Sequence, residues 1–442
     1  MNFWYYWQSD IPHLSESYFE DEETFHAYLN SFSNTEDLFE DLQYTGDDFS
    51  FFIENYEEFE KSLQGTSMSF GFEFGLVPIT STGNELIGYV QYVLPDSPAD
   101  EAGLARGDLF TGVNGTQLTR NNFIELMFNT VSYELTMAEI QEGTISETGE
   151  TVSVQAVELT EDPVFLTDIL EVEGARVGYL VYNAFQLNSH QKLNEVFGDF
   201  SSNGIDELVV DLRYNGGGTA LTSQMLAGMI SGRDSTHTFA TYSYGVKLAQ
   251  LNQSVPILNE VPIYEAGERV DEVAMNQLSL DRVFFLTGFG TASASEMLIN
   301  GLEPYMDVIL IGDITVGKDE GSLTLYDAPA PYLEQEEANP AHKMAIQPIV
   351  LKLVNERGEG YPDGFMPDYE VREIDYLESG LPPLGASDEP LLARALEVIA
   401  GEPIAKMQSV RSDFRHGGLI SDSKALRPHG RQLLIEPVIN RK

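Results

Sequence analysis

Cysteine is absent from the 442 residues, which excludes disulfide staples, thiol nucleophiles and thiolate zinc sites. Basic side chains are scarce: 24 Lys+Arg stand against 71 Asp+Glu, a formal net charge of -47. Such a field repels phosphate backbones and anionic lipid, so neither nucleic acid nor a membrane surface is expected as a partner. No apolar run approaches the roughly 18 residues that span a bilayer, so no integral membrane segment is expected. Met1–Trp7 has neither a basic start nor an apolar stretch ending in small residues, and does not read as a signal peptide. The seven histidines are scattered, none in an H-E-x-x-H pattern, and no metal or cofactor is expected. His237 and His342 read as structural. What the chain does hold is 42% hydrophobic and 11% aromatic residues, enough for two or three packed domains.

Residues 1–68 read as an acidic helical subdomain, with aromatic spacing at Phe25–Leu29 and Phe51–Tyr56. Residues 69–161 form a glycine-punctuated β pattern. It holds a strand Ile87–Val93, a short helix Asn121–Phe128, and a hairpin pairing Tyr133–Ile140 with Thr151–Leu159 across a polar loop. From 162 to 403 strands alternate with helices, which predicts a mixed α/β layer architecture. Strands are expected at Val177–Tyr182, Glu207–Leu212, Val283–Gly288, Val308–Gly312 and around Ile346–Leu353, and a closing helix at Glu389–Ile399. Residues 404–442 change sign, with eight Lys/Arg against three Asp/Glu, and lack periodicity. That tail is expected to be poorly ordered or pinned to the acidic body.

Three blocks carry chemistry. In the first, Asp211-Leu212-Arg213-Tyr214-Asn215-Gly216-Gly217-Gly218, a glycine-rich turn follows a buried strand and lets amides approach a ligand closely. In the second, Gly290-Thr291-Ala292-Ser293-Ala294-Ser295-Glu296, a serine stands at a strand-to-helix turn. There the unpaired first-turn amides and the helix dipole favour a developing oxyanion. The same residues fit the S-x-x-E capping box, so nucleophile and helix cap are both open readings at this point. The third block, Gly312-Asp313-Ile314-Thr315-Val316-Gly317-Lys318, places a lysine on a loop after a strand.

In this order the blocks resemble the carboxyl-terminal processing (tail-specific) peptidases, serine peptidases with a Ser/Lys dyad. The resemblance covers residues 70–400 and implies a ClpP/crotonase-like catalytic fold with an inserted PDZ domain. Ser97-Pro98-Ala99, Ala102-Gly103-Leu104, Gly107-Asp108 and Val113-Asn114-Gly115 look like that PDZ domain. It further implies Ser293 as nucleophile and Lys318, 25 positions on, as general base. The amides of Ala294 and of Gly217 or Gly218 are implied as the oxyanion hole. Phe74-Gly75-Leu76-Val77 resembles the carboxylate-binding loop and following strand of a PDZ domain, a device that adds an extended peptide to a sheet edge. Where such peptidases carry a glutamine four residues after the lysine, this chain has Ser322, expected as a third member of the site.

A lysine base must be neutral near pH 7, which requires burial. Ile314 and Val316 are expected to supply apolar surroundings, and Asp319 and Glu320 to face solvent. Substrates are expected to be proteins or peptides with accessible, hydrophobic C-termini. The resemblance implies a periplasmic or cell-envelope setting; it leaves the oligomeric state open. The alternative is a catalytically inactive protein binding peptide or lipophilic ligands on the same scaffold, for which both Ser293 and Lys318 would be superfluous.

Overall fold

The computed structural model describes residues 1–15, 17–80, 83–265, 267–402, 419–427 and 430–435. Its centre is a six-stranded sheet in the order Val164–Val172, Ala175–Tyr182, Glu207–Asp211, Arg282–Thr287, Asp307–Gly312 and Tyr369–Glu370. The first pair is antiparallel and the remaining pairs are parallel. Buried on both faces, its inner strands are continuous apolar runs such as Leu208-Val209-Val210 and Val283-Phe284-Phe285-Leu286. One face packs on the helices His190–Asn203, Ala220–Ser231 and Ala294–Leu302; the other packs on Pro390–Ile399. Ala294–Leu302 is buried at every position, its polar Ser295, Glu296 and Asn300 included, as a helix sandwiched between layers must be.

A second six-stranded sheet runs in the order Gly218–Thr219, Leu433–Leu434, Glu320–Ser322, Ile349–Val354, Thr238–Tyr244 and Gln253–Pro256. The end of the glycine block and the segment following Lys318 therefore flank one strand of the C-terminal tail.

The β-rich insertion leaves and rejoins the body side by side, because Thr66–Ser69 pairs antiparallel with Val157–Thr160. Between them Phe72–Pro78, Leu86–Val93, Leu109–Val113, Ser132–Gln141 and Thr144–Gln155 form an antiparallel sheet over a separate core of Phe74, Leu76, Val90, Phe110, Val113 and Leu135. The polar loop expected inside the hairpin is a two-residue turn, Glu142-Gly143, with positive φ at both positions (47° and 72°). A primed turn of this kind matches strand twist, so the pairing extends back to Thr144.

The N-terminal region holds helices at Glu22–Leu29, Thr35–Asp41 and Tyr56–Leu63. Phe51–Ile53 is not helical as its aromatic spacing suggests: it is a strand paired with Ala345–Gln347. Trp4 and Tyr5 are buried, and the amide of Tyr6 donates to the Ile349 carbonyl at 2.8 Å, so the first residues are tied to the second sheet. Of the basic tail, Leu419–Arg427 and Gly430–Ile435 are pinned to the body. The rest of that stretch lies outside the described residues.

Candidate active site

Ser293 caps the helix Ala294–Leu302 with φ 65° and ψ −114°, a left-handed backbone that a non-glycine residue adopts at a cost of about 1–3 kcal/mol. The surrounding turn enforces it. Thr291 Oγ1 donates to the Leu212 carbonyl (2.8 Å) and accepts from the Gly288 amide (2.9 Å), while the Ala292 amide donates to the Asn215 carbonyl (3.2 Å). The Ser293 side chain is fully buried; its hydroxyl oxygen faces the Glu296 amide across the capping box but makes no hydrogen bond of normal geometry among the described residues. A hydroxyl that served only as a cap would not be left unsatisfied. Both readings of the S-x-x-E motif meet here, because Glu296 does accept from the Ser293 amide at 2.8 Å.

Glu296 is the residue whose role sequence reasoning missed. Fully buried, its carboxylate also accepts from the Lys318 amide (2.9 Å), the Gly317 amide (2.6 Å) and Thr315 Oγ1 (2.6 Å). Burial is the main influence on it and raises its pKa, against those donors. Because Ser293 N and Lys318 N both donate to Oε2, one carboxylate oxygen fixes the two blocks to each other. The motif Ser-x-x-Glu would look the same with or without this second set of donors.

Lys318 is fully buried, and burial pushes its amine down to about 8, with the Glu320, Asp47 and Glu296 carboxylates opposing and Arg431 assisting. Its apolar cover comes from Phe49, whose ring centroid lies 4.9 Å from Nζ, a contribution of the N-terminal region rather than of neighbouring residues alone. Asp319 and Glu320 do not face solvent. Both are buried, and Glu320 meets Lys352 on the adjacent strand at 2.9 Å, which satisfies a carboxylate that would otherwise have to reach water. Glu320 thus opposes the lowering that burial produces. The direct Ser293–Lys318 contact is not made. Nζ donates instead to the Arg431 carbonyl of the tail at 2.7 Å.

The glycine block is discriminating. Gly217 donates its amide to Asn215 Oδ1 at 2.9 Å, so of the two expected donors only Gly218 faces outward, and it holds the Gln432 carbonyl at 2.7 Å. A Cβ on Gly217 would lie 2.5 Å from the Gln432 carbonyl oxygen and 2.9 Å from Ser293 Oγ; one on Gly218 would lie 2.1 Å from the Phe185 carbonyl oxygen. Ala294 supplies a first-turn amide of the helix, where no intrahelical acceptor exists.

Ser322 does not reach the lysine amine. Its hydroxyl donates to the Leu433 carbonyl (3.2 Å) and accepts from Gln347 Nε2 (3.0 Å), which is itself anchored by Thr324 Oγ1 (2.7 Å). Phe74, Gly75, Leu76 and Val77 are buried and all lie within the strand Phe72–Pro78, none in a loop. The edge they form is paired antiparallel with Ser421–Asp422.

Behind the glycine block, Arg213 binds Asp211 (Nη2–Oδ2 2.7 Å) and Glu389 (Nη2–Oε2 2.8 Å), while Arg106 of the β-rich insertion contacts Tyr214 (2.5 Å), Glu373 and Glu389 (3.2 Å). Burial disfavours the ionised Glu389, yet the two guanidinium groups hold it down at about 2. The charges are paired and hydrogen-bonded, the condition under which burial is tolerated.

The Peptidase family S41 model matches residues 176–335, the Peptidase S41 N-terminal domain matches 1–51, and a PDZ domain matches 89–127. A carboxyl-terminal-processing protease of Picosynechococcus is 25% identical over 276 residues, 60% of this chain and 58% of that protein. A chloroplastic C-terminal processing peptidase of Tetradesmus obliquus is 27% identical over 237 residues, 51% of this chain and 46% of that protein. The chain thus spans about half the length of these curated relatives. Among solved structures, a candidate S41 protease of Bacteroides fragilis superposes with a TM-score of 0.68 at 28% identity, covering 91% of this chain and 96% of that one. The photosystem II D1 C-terminal processing protease shares the fold, with a TM-score of 0.50 at 17% identity over 90% of this chain and 94% of that one.

Proposed function

Because the chain belongs to peptidase family S41, we propose that it is a serine endopeptidase cutting proteins or peptides near their C-termini with Ser293 as nucleophile and Lys318 as general base. The observation that carries this reading is the buried Ser293 hydroxyl, without a hydrogen bond among the described residues, on a strained turn bracketed to a buried lysine by Glu296. A substrate strand enters between Gly218–Thr219 and Glu320–Ser322, where main-chain pairing holds it extended. Its scissile carbonyl accepts from the Gly218 amide, with Ala294 N as the second donor. Ser293 Oγ attacks the carbonyl carbon while neutral Lys318 takes its proton. The amide bond breaks, the lysine returns the proton to the leaving amine, and water hydrolyses the ester. For this sequence Lys318 Nζ turns from the carbonyl it now contacts to Ser293 Oγ. The β-rich insertion presents the peptide along the edge of Phe72–Pro78. An extracytoplasmic setting accords with this reading; cell fractionation checks it. A fluorophosphonate probe tests the nucleophile directly: labelling of Ser293 supports it, and an unlabelled Ser293 in folded protein opposes it.

Two further outcomes follow from the geometry. Glu296→Leu strands four donors inside the protein, each worth about 1–3 kcal/mol. Stability should fall by about 4 kcal/mol or more in denaturant titration, and turnover should vanish with it. Glu296→Gln, which keeps volume and an acceptor, should lose less of both. Gly218→Ala places a methyl against Phe185 and twists the donor amide, so kcat/KM should fall by about 10²–10³. Wild-type kinetics in that variant would remove Gly218 from the oxyanion hole.

A further inference from the structure

The C-terminal tail lies in the site as a peptide substrate would. Its first pinned stretch adds to the edge of the β-rich insertion: Ser421 and Asp422 pair with Leu76 and Gly75, the Ile420 amide donates to the Leu76 carbonyl (2.8 Å), and the Ser423 amide donates to the Phe74 carbonyl (2.8 Å). Arg427 closes the contact on buried Glu73 at 2.7 Å. These are the strand residues expected to bind external peptides.

The second stretch runs through the catalytic cleft. The Arg431 carbonyl takes the Lys318 amine, the Gln432 carbonyl takes the Gly218 amide, and the Leu433 carbonyl takes the Ser322 hydroxyl. Leu433 and Leu434 pair in register with Gly218 and Thr219, and the Ile435 amide donates to the Ser322 carbonyl (3.2 Å). Leu433 is fully buried, and Ile435 nearly so. The fit depends on the glycines, since a Cβ on Gly216 would stand 1.7 Å from the Gly430 carbonyl oxygen. Basic residues of the tail meet acidic ones of the body, as with Arg427–Glu73 and Lys424–Glu161 (3.7 Å).

One carbonyl sits on the proposed oxyanion donor, and it belongs to Gln432. We propose that the protein is its own substrate: the bound tail presents the Gln432–Leu433 bond to Ser293, and cleavage there releases the segment from Leu433 onward. The proposal rests on Ser293 being the nucleophile. Ser293 Oγ bonds to the Gln432 carbonyl carbon as its proton passes to Lys318. The Gln432–Leu433 C–N bond then breaks, with the Leu433 nitrogen taking that proton, and water hydrolyses the ester to leave a Gln432 carboxylate.

Intact-mass measurement of the full chain over time, beside hydrolysis of an internally quenched peptide spanning residues 426–438, tests this. Expected is a single cut after Gln432, first-order and independent of dilution, present in the wild type and absent in Ser293→Ala. Leu433→Asp puts a charge where a buried leucine sits and should slow the self-cut at least tenfold. Three results overturn the proposal while leaving the peptidase reading intact. The added peptide is cut but the chain stays whole; the chain is cut elsewhere; or the tail persists and truncation after Glu402 raises peptide turnover, which makes it an inhibitory strap. If neither the peptide nor the chain is cut and Ser293 takes no fluorophosphonate, both readings fall together.

Discussion

Ser293→Ala should lower peptide hydrolysis by a factor on the order of 10⁶, because the covalent route is lost while binding and the oxyanion donors remain. The same substitution should not destabilise the protein. The hydroxyl it removes is buried without a hydrogen-bond partner among the described residues, an arrangement that costs roughly 1–3 kcal/mol. Alanine keeps the Cβ and leaves the left-handed backbone of position 293 as it was, so the gain should be on the order of 1 kcal/mol. A rise in Tm together with the collapse of kcat is the signature of a group held for chemistry at the expense of stability. Steady-state rates on a quenched peptide and a thermal melt measure the two halves separately. Turnover within tenfold of wild type would end the nucleophile assignment. A melt several degrees lower would mean that the hydroxyl has a structural partner after all.

The parts of this site that sequence displayed are those whose information is local. A run such as Val283-Phe284-Phe285-Leu286 can be buried on both faces only as an inner strand. A serine at the following turn is forced to a helix N-terminus. The glycines at 216–218 likewise announce a close backbone approach, although only the folded backbone separates Gly217, spent on Asn215, from Gly218. What stayed illegible depends on partners far along the chain. Phe49 covers the lysine across 269 positions, Glu320 is kept from solvent by Lys352 on a neighbouring strand, and Gln347 reaches Ser322 from a third. Phe51–Ile53 was misleading because three residues cannot distinguish a period of two from one of 3.6, and its pairing with Ala345–Gln347 decides the matter. The tail carries no hydrophobic period because its two strands are two residues each, held mainly by main-chain bonds that any sequence could make.

The amine of Lys318 sets the pH dependence. Burial is the dominant influence and brings it down to about 8 from an ordinary lysine value of 10.5. A base works only when neutral, so kcat/KM should rise with pH through about 8 and level off above it. A histidine base would put the midpoint near 6.5. Lys318→Ala should cost about 10²–10⁴ in rate and flatten the profile. Lys318→Arg should do no better, since a guanidinium does not lose its proton. A wild-type rate in either variant, or activity that falls between pH 7 and 9, would take the lysine out of the scheme. Glu320 sharpens the test. Its buried carboxylate is the largest influence holding the proton on Lys318, so Glu320→Gln should move the midpoint to lower pH and raise the rate at neutrality. A structural role for Lys318 would leave the midpoint unmoved by that change. Only a lysine that titrates during turnover links the charge two residues after it to the position of the profile.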